Sequence, residues 1–128
     1  MVVLIVEDNP AMRRVIRTFI GDVADAVEIA ECGDGAAALE AYEQSQPDWV
    51  LMDIRLGAMN GIEASRQIKT RYPEARIVVV TNYDDRELRE AATSAGACAY
   101  VLKENLIELH DILSGTEQPR PTTRNPDN

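Results

Sequence analysis

The sequence predicts an α/β fold, a doubly wound five-stranded parallel sheet with helices on both faces. Three observations predict it. Short β-branched runs recur at Val2–Val6, Ala26–Glu31, Trp49–Met52, Arg76–Val80 and Cys98–Leu102, with starts 24, 23, 27 and 22 residues apart. Each interval has room for one helix and two loops, and helical patterns fill them. The runs Val2–Val6 and Ile77–Val80 are nearly all apolar rather than alternating, the pattern of strands buried on both faces. Right-handed crossovers then place helices on either side of the sheet.

The first strand, Val2–Val6, stops at Glu7-Asp8. Asn9-Pro10 follows, an N-cap and then a proline at the first helical position, where a missing N–H costs nothing. Met12, Val15, Ile16, Phe19 and Ile20 repeat at i, i+3, i+4, i+7 and i+8, which predicts one buried helix face. After the second strand, Asp34 is the expected cap of a helix marked by Ala38, Leu39 and Tyr42. Beyond the third strand, Asn60-Gly61 opens a helix that runs to about Arg71 and is stopped by Pro73. Leu88, Ala91, Ala92 and Ala95 mark a fourth helix ended by Gly96, and Leu106, Leu109 and Leu113 a short fifth ended by Gly115. Residues 1–114 therefore read as one domain. Residues 115–128 contain no Leu, Ile, Val or aromatic side chain and three of the six prolines, so a disordered C-terminal tail or linker is expected there.

Composition narrows the function. At 128 residues the chain fits one domain with a real core and has no length for a second, substrate-binding domain. With 13 basic and 22 acidic side chains the net charge is −9, which argues against direct nucleic-acid binding, since phosphates call for clustered Lys and Arg. No apolar stretch approaches the length of a bilayer, and Glu7 and Asp8 interrupt the first one without a basic segment before it. A cytoplasmic protein without a membrane partner is expected. Cys32 and Cys98 lack CxxC spacing and read as two buried thiols in a reducing compartment. The single histidine, His110, cannot support a histidine metal site and is expected to be a surface or satisfied side chain on the last helix.

The informative residues stand where strands stop: Glu7 and Asp8 after the first, Asp53 after the third, Thr81 after the fourth and Lys103 after the fifth. Open α/β sheets bind ligands outside the carboxyl ends of the strands, where strand order reverses. In the flavodoxin-like order 2-1-3-4-5 that point lies between strands one and three, so Glu7, Asp8 and Asp53 would converge there. Three carboxylates crowded together need a counter-charge. A hard divalent cation such as Mg²⁺ supplies it and keeps water positions open for a phosphoryl oxygen. Lys103 would add a compact positive charge and Thr81 a hydroxyl donor, making a cradle for a transferring phosphoryl group with a carboxylate as nucleophile. Taken singly, Asp8 and Asn9 could merely cap a helix and Asp53 begin a turn. The set, spread over four strand ends, is the strong signal.

In these residues the chain resembles the receiver domains of two-component response regulators. The resemblance covers about residues 1–114, from Leu4-Ile5-Val6-Glu7-Asp8-Asn9 through Leu51-Met52-Asp53-Ile54 and Met59-Asn60-Gly61 to Tyr100-Val101-Leu102-Lys103. It implies that Asp53 accepts a phosphoryl group from a histidine kinase or phosphotransfer domain. It also implies that Glu7, Asp8, Asp53 and the backbone carbonyl of Arg55 hold Mg²⁺, and that Thr81 and Lys103 contact the phosphoryl oxygens. Thr81 and Tyr100 would form the conformational switch, and the face made by the fourth helix, fifth strand and fifth helix could support a homodimer. Thr81-Asn82-Tyr83-Asp84-Asp85 and Ala95-Gly96-Ala97 look most like the subfamily that usually carries a helix-turn-helix output domain. The chain departs from the family pattern at Gly57, where proline is common, at Glu104, also often proline, and at Asn82, usually a smaller residue.

Other signals are weaker. Gly33-Asp34-Gly35-Ala36-Ala37-Ala38 formally fits a dinucleotide fingerprint, but it follows the second strand, which the order above puts at a sheet edge. A turn and helix cap is the simpler account. Arg13, Arg14 and Arg17 cluster on the polar side of the first helix, by default a solvated face, and in the family the side that docks a phosphotransfer domain. Two alternatives to a phosphorylated receiver remain at this stage: a receiver-like interaction module independent of phosphorylation, and a small aspartyl-phosphate hydrolase or nucleotide-binding enzyme. The intact set Glu7, Asp8, Asp53, Thr81 and Lys103 favours the phosphorylated receiver. Glu7-Asp8-Asn9-Pro10 offers neither the D-x-D nor the glycine loop that the enzyme would need.

Overall fold

Side chains of the inner strands alternate between two apolar faces, and both faces are covered. A computed structural model describes residues 1–21, 23, 27–55 and 59–115. Its strands are β1 (Val2–Val6), β2 (Glu28–Cys32), β3 (Trp49–Met52), β4 (Ile77–Thr81) and β5 (Ala99–Leu102), all parallel, in the order β2-β1-β3-β4-β5. The helices are α1 (Pro10–Ile20), α2 (Ala38–Ser45), α3 (Gly61–Arg71), α4 (Arg86–Ser94) and α5 (Glu108–Ser114). Val3 and Ile5 of β1 face a layer made with Ile16 and Ile20 of α1 and Leu106, Leu109 and Leu113 around α5. Leu4 and Val6 face the other way, onto Ala38 and Tyr42 of α2 and Ala64 and Ile68 of α3. On that second side α4 rests on a smaller cluster, with Ala92 and Ala95 fully buried and Leu88 and Ala91 partly so. Alanines bury little area, so α4 is the lightly held helix of the five.

The local signals explain the helix starts. Asn9 Oδ1 accepts from the Ala11 and Met12 N–H groups and Pro10 occupies the first turn of α1, so orphan donors are satisfied there. Asn60 Oδ1 accepts from Glu63 N at 2.9 Å to open α3, and Asp85 does the same for α4. Register then aligns the strand ends. Val6 is opposite Met52, and the Asp53 N–H donates to the Val6 carbonyl at 3.0 Å, so the residues after β1 and β3 emerge side by side.

Several sequence expectations need adjustment. β2 starts at Glu28 and runs to Cys32, and Ala26 lies outside the described residues. Thr81 is the last residue of β4 rather than the residue after it. Asp34 caps a short 3₁₀ turn, Gly35–Ala37, and α2 begins only at Ala38. A second 3₁₀ turn, Lys103–Asn105, precedes α5, so Leu106 is buried ahead of the helix. Val15, placed on the buried face of α1, is 41% exposed, because only Ile16 and Ile20 point squarely at the sheet and Val15 falls on the rim. Cys98, expected in the core, is exposed, since it lies in the turn before β5 rather than in the strand; Cys32 is half-buried. The expected tail at 115–128 falls, beyond Gly115, outside the described residues, as does Gly57.

Candidate functional site

The in-register ends of β1 and β3 bring three carboxylates together. Oxygens of Glu7, Asp8 and Asp53 all lie within 4.8 Å of one another. Glu7 is 2% and Asp53 5% exposed, whereas Asp8 faces solvent. Lys103 follows β5 and reaches past the end of β4 to both buried acids: Nζ is 2.8 Å from Glu7 Oε1 and 3.1 Å from Asp53 Oδ2. The remaining oxygens of the two acids accept backbone donors, Glu7 Oε2 from Asn9 N at 3.1 Å and Asp53 Oδ1 from Ile54 N at 2.8 Å. Each buried carboxylate is therefore held at one oxygen by the chain and at the other by the ammonium.

The charges do not balance. Three carboxylates against one ammonium leave two formal negative charges uncompensated within the cluster. Burial pushes the Glu7 carboxyl above the usual range and the Asp53 charge adds to this, against the downward pull of Lys103 and the Asn9 N–H. For Lys103 burial pulls downward, but the two acids outweigh it and the ammonium stays protonated beyond its ordinary range. The donors are all hard oxygens, and the exposed Asp8 leaves the cluster open on one side, which fits a Mg²⁺ ion that retains waters. Glu7 Oε1, a buried oxygen that faces the Lys103 ammonium at 2.8 Å and has no hydrogen bond from the rest of the described residues, belongs to this donor set. Arg55, whose carbonyl the sequence reading adds to this set, stands two residues after Asp53 and is exposed.

Thr81 is fully buried, and its hydroxyl oxygen accepts the Tyr83 N–H at 3.3 Å, so it is engaged with its own loop rather than with Asp53. Tyr100 donates its hydroxyl to the Tyr83 carbonyl at 2.6 Å, and the Arg89 guanidinium lies 4.5 Å over the Tyr100 ring while pairing with Asp84. On the other side the Arg55 guanidinium lies 5.0 Å over the Tyr83 ring. The structure thus brings Glu7, Asp8, Asp53 and Lys103 into one cluster and ties Thr81 and Tyr100 together through Tyr83.

Two participants were not singled out as site residues from the sequence. Gly61 packs its backbone against the Asp53 turn and donates its N–H to the Ile54 carbonyl at 2.7 Å. Arg13, expected on a solvated face, bonds instead to the Glu7 carbonyl and to Glu31, and Arg17 also pairs with Glu31. The dinucleotide fingerprint dissolves: β2 is an edge strand, and Asp34 Oδ1 accepts from Ala36 N at 2.8 Å as a cap.

The family model for the response regulator receiver domain matches residues 3–114. The chain belongs to that family. As a receiver domain it is a signalling domain of two-component systems, with the five-stranded flavodoxin-like architecture of its structural neighbours. It is 34% identical over 119 residues to a transcriptional regulatory protein, YhcZ, of Bacillus subtilis, covering 90% of this chain and 56% of that one. Among solved structures, a LuxR-family two-component response regulator from Aurantimonas superposes with a TM-score of 0.80 at 31% identity, covering 89% of this chain and 85% of the other. The Mn²⁺-bound response regulator Rcp1 superposes with a TM-score of 0.72 at 25% identity, covering 97% and 96%. The receiver domain spans about half the length of the curated relatives it matches. Among the described residues no helix is long and apolar enough to cross a membrane.

Proposed function

We propose that this receiver domain, residues 1–114, takes a phosphoryl group onto Asp53 from a histidine kinase or phosphotransfer domain in the cytoplasm. Mg²⁺ would be held by Glu7, Asp8, Asp53 and the Arg55 carbonyl. The observation that carries this is Asp53 itself: a buried carboxylate with one oxygen on a backbone N–H and the other on an ammonium, beside two more acids. An Asp53 oxygen attacks phosphorus while the bond from phosphorus to the donor's nitrogen breaks, and that nitrogen keeps the electron pair. Lys103 remains charged and faces the oxygens that gain negative character. Mg²⁺ held by these acids would supply the remaining positive charge for them and for the phosphoryl oxygens.

Switching follows from the loop geometry. A phosphoryl oxygen that draws the Thr81 hydroxyl toward Asp53 pulls on the Tyr83 N–H that this oxygen accepts, and the Tyr83 carbonyl in turn holds Tyr100. Lightly held α4 sits beside this loop, so the face formed by α4, β5 and α5 is where a partner, or a second copy of the chain, reads the state. In the relatives named as transcriptional regulators that state would be passed to an output domain, and the same role is proposed here.

Incubation with a small-molecule phosphodonor and Mg²⁺ should add one phosphoryl group by intact mass, and excess chelator should stop the reaction. No gain with Mg²⁺ present would leave the phosphorylation-independent interaction module as the better account, and full gain in chelator would reject the metal role. The lifetime of the product is a second expectation. Arg55 stacks on Tyr83, and in the geometry the family resemblance implies the pair would crowd the line along which water must approach phosphorus. Arg55→Ala and Tyr83→Ala should each lose phosphate faster than wild type, by a few-fold to a hundredfold, about 1–3 kcal/mol of barrier. If both variants retain phosphate longer, the two side chains assist hydrolysis instead.

A further inference from the structure

Arg13 is held more tightly than a surface arginine. Its Nη1 donates to the Glu7 carbonyl at 2.5 Å and its Nε to Glu31 Oε1 at 3.0 Å, while Arg17 occupies the other Glu31 oxygen at 3.0 Å. The Glu7 carbonyl is the first beyond β1, and among the described residues no backbone N–H reaches it. Gly33 makes the space: a Cβ there would stand 3.3 Å from Arg13 Nη1 and 3.8 Å from the Glu7 carbonyl oxygen. That carbonyl belongs to the planar peptide unit joining Glu7 to Asp8, so fixing it fixes the direction in which the chain enters Asp8.

We infer that Arg13 is a positioning residue for the Glu7–Asp8 metal-binding pair, with Glu31 anchoring the guanidinium that clamps the peptide between the two acids. The inference rests on the Mg²⁺ reading above and adds a residue outside the ligand set. Partners that orient metal ligands from behind typically change affinity ten- to a hundredfold when removed. The sign separates this role from simple charge. A cation beside the acids repels Mg²⁺, so deleting Arg13 by electrostatics alone would tighten binding or leave it unchanged. Loss of positioning weakens it.

The experiment is a Mg²⁺ titration of the metal-free protein followed by the backbone amide NMR shifts of residues 7, 8 and 53. Arg13→Ala should need about tenfold more Mg²⁺ than wild type. Arg13→Lys should be weakened too, because a single ammonium nitrogen lacks the rigid planar fork by which Nη1 and Nε reach the Glu7 carbonyl and Glu31 from separate positions. Glu31→Gln, which leaves the carbonyl bond in place, should fall between, and the double variant Arg13→Ala/Glu31→Gln should be no worse than Arg13→Ala. At saturating Mg²⁺ the phosphorylation rate of Arg13→Ala should return toward wild type. If wild type shows no Mg²⁺-dependent shift, the metal reading fails and this inference with it. If wild type titrates and Arg13→Ala titrates at the same or lower Mg²⁺, with only its melting temperature reduced, Arg13 is structural and this inference alone is overturned.

Discussion

Gly61→Ala is expected to be among the most damaging single-methyl changes in this protein. A Cβ at Gly61 would lie 1.8 Å from the Asp53 carbonyl oxygen, 2.8 Å from the Asp53 carbonyl carbon and 2.9 Å from Met52 Cγ. Two of those neighbours are backbone atoms of a buried residue, so no rotamer change relieves the clash; α3 or the Asp53 turn must move. Gly61 also donates its N–H to the Ile54 carbonyl, so moving away breaks that bond. Overpacking alone costs about 1–3 kcal/mol, and with backbone displacement about 3 kcal/mol or more is expected, a fall of roughly 10 °C in melting temperature. Asp53 should shift with the turn and phosphorylation should slow. Gly33→Ala provides the contrast in stability, because its closest neighbour is a side-chain atom, Arg13 Nη1, at 3.3 Å rather than backbone at 1.8 Å. A Gly61→Ala protein melting within about 2 °C of wild type would show that the turn gives more easily than these distances imply.

Removing the ammonium at the cluster should have an effect of similar size, and a pH-dependent one. Lys103 is 9% exposed at its side chain and Glu7 and Asp53 are 2% and 6%, so Lys103→Met leaves two buried carboxylates facing each other. Breaking a buried ionic cluster from one side typically costs 3–5 kcal/mol, and about 3 kcal/mol is expected here at neutral pH without metal. The sign with pH follows from Glu7. Its carboxyl already titrates above the unfolded value because of burial, and losing Lys103 raises it further. A raised folded pKa contributes stability below the unfolded pKa that is lost as pH rises through the folded one. The deficit of Lys103→Met relative to wild type should therefore be small near about pH 5 and grow toward about pH 8. Urea unfolding in chelator at the two pH values measures it. A deficit of equal size at both would mean that packing of the lysine stem, not the charges, carries the loss.

The strand order and the convergence of Glu7, Asp8 and Asp53 were legible because they follow from topology and register: parallel strands of similar length, in this order, end in line. Caps were legible because Asn9 and Asn60 act within three residues of themselves. The side of Lys103 that meets both acids could be expected from charge alone. What the sequence does not carry is the direction of side chains with more than one available partner. Arg13 could have faced solvent, and it turns inward because the Glu7 carbonyl, beyond the end of the β1 ladder, needs a donor. Thr81 could have faced Asp53, and its oxygen instead accepts from Tyr83. Val15 and Cys98 show the same limit for burial: apolar type and spacing put them inward, while the rim of α1 and the turn before β5 leave them exposed. Gly61 looked like a helix start, and its role against Asp53 depends on a contact between segments eight residues apart.

The central claim is that the phosphoryl group lands on Asp53. Peptide mapping after reaction with a small-molecule phosphodonor and Mg²⁺, on wild type and on Asp53→Asn side by side, tests it most directly. The account predicts one modified peptide in wild type, the one containing Asp53, and no modification at the wild-type rate in Asp53→Asn. Phosphate on a peptide lacking Asp53, or an Asp53→Asn protein modified as fast as wild type, would contradict it.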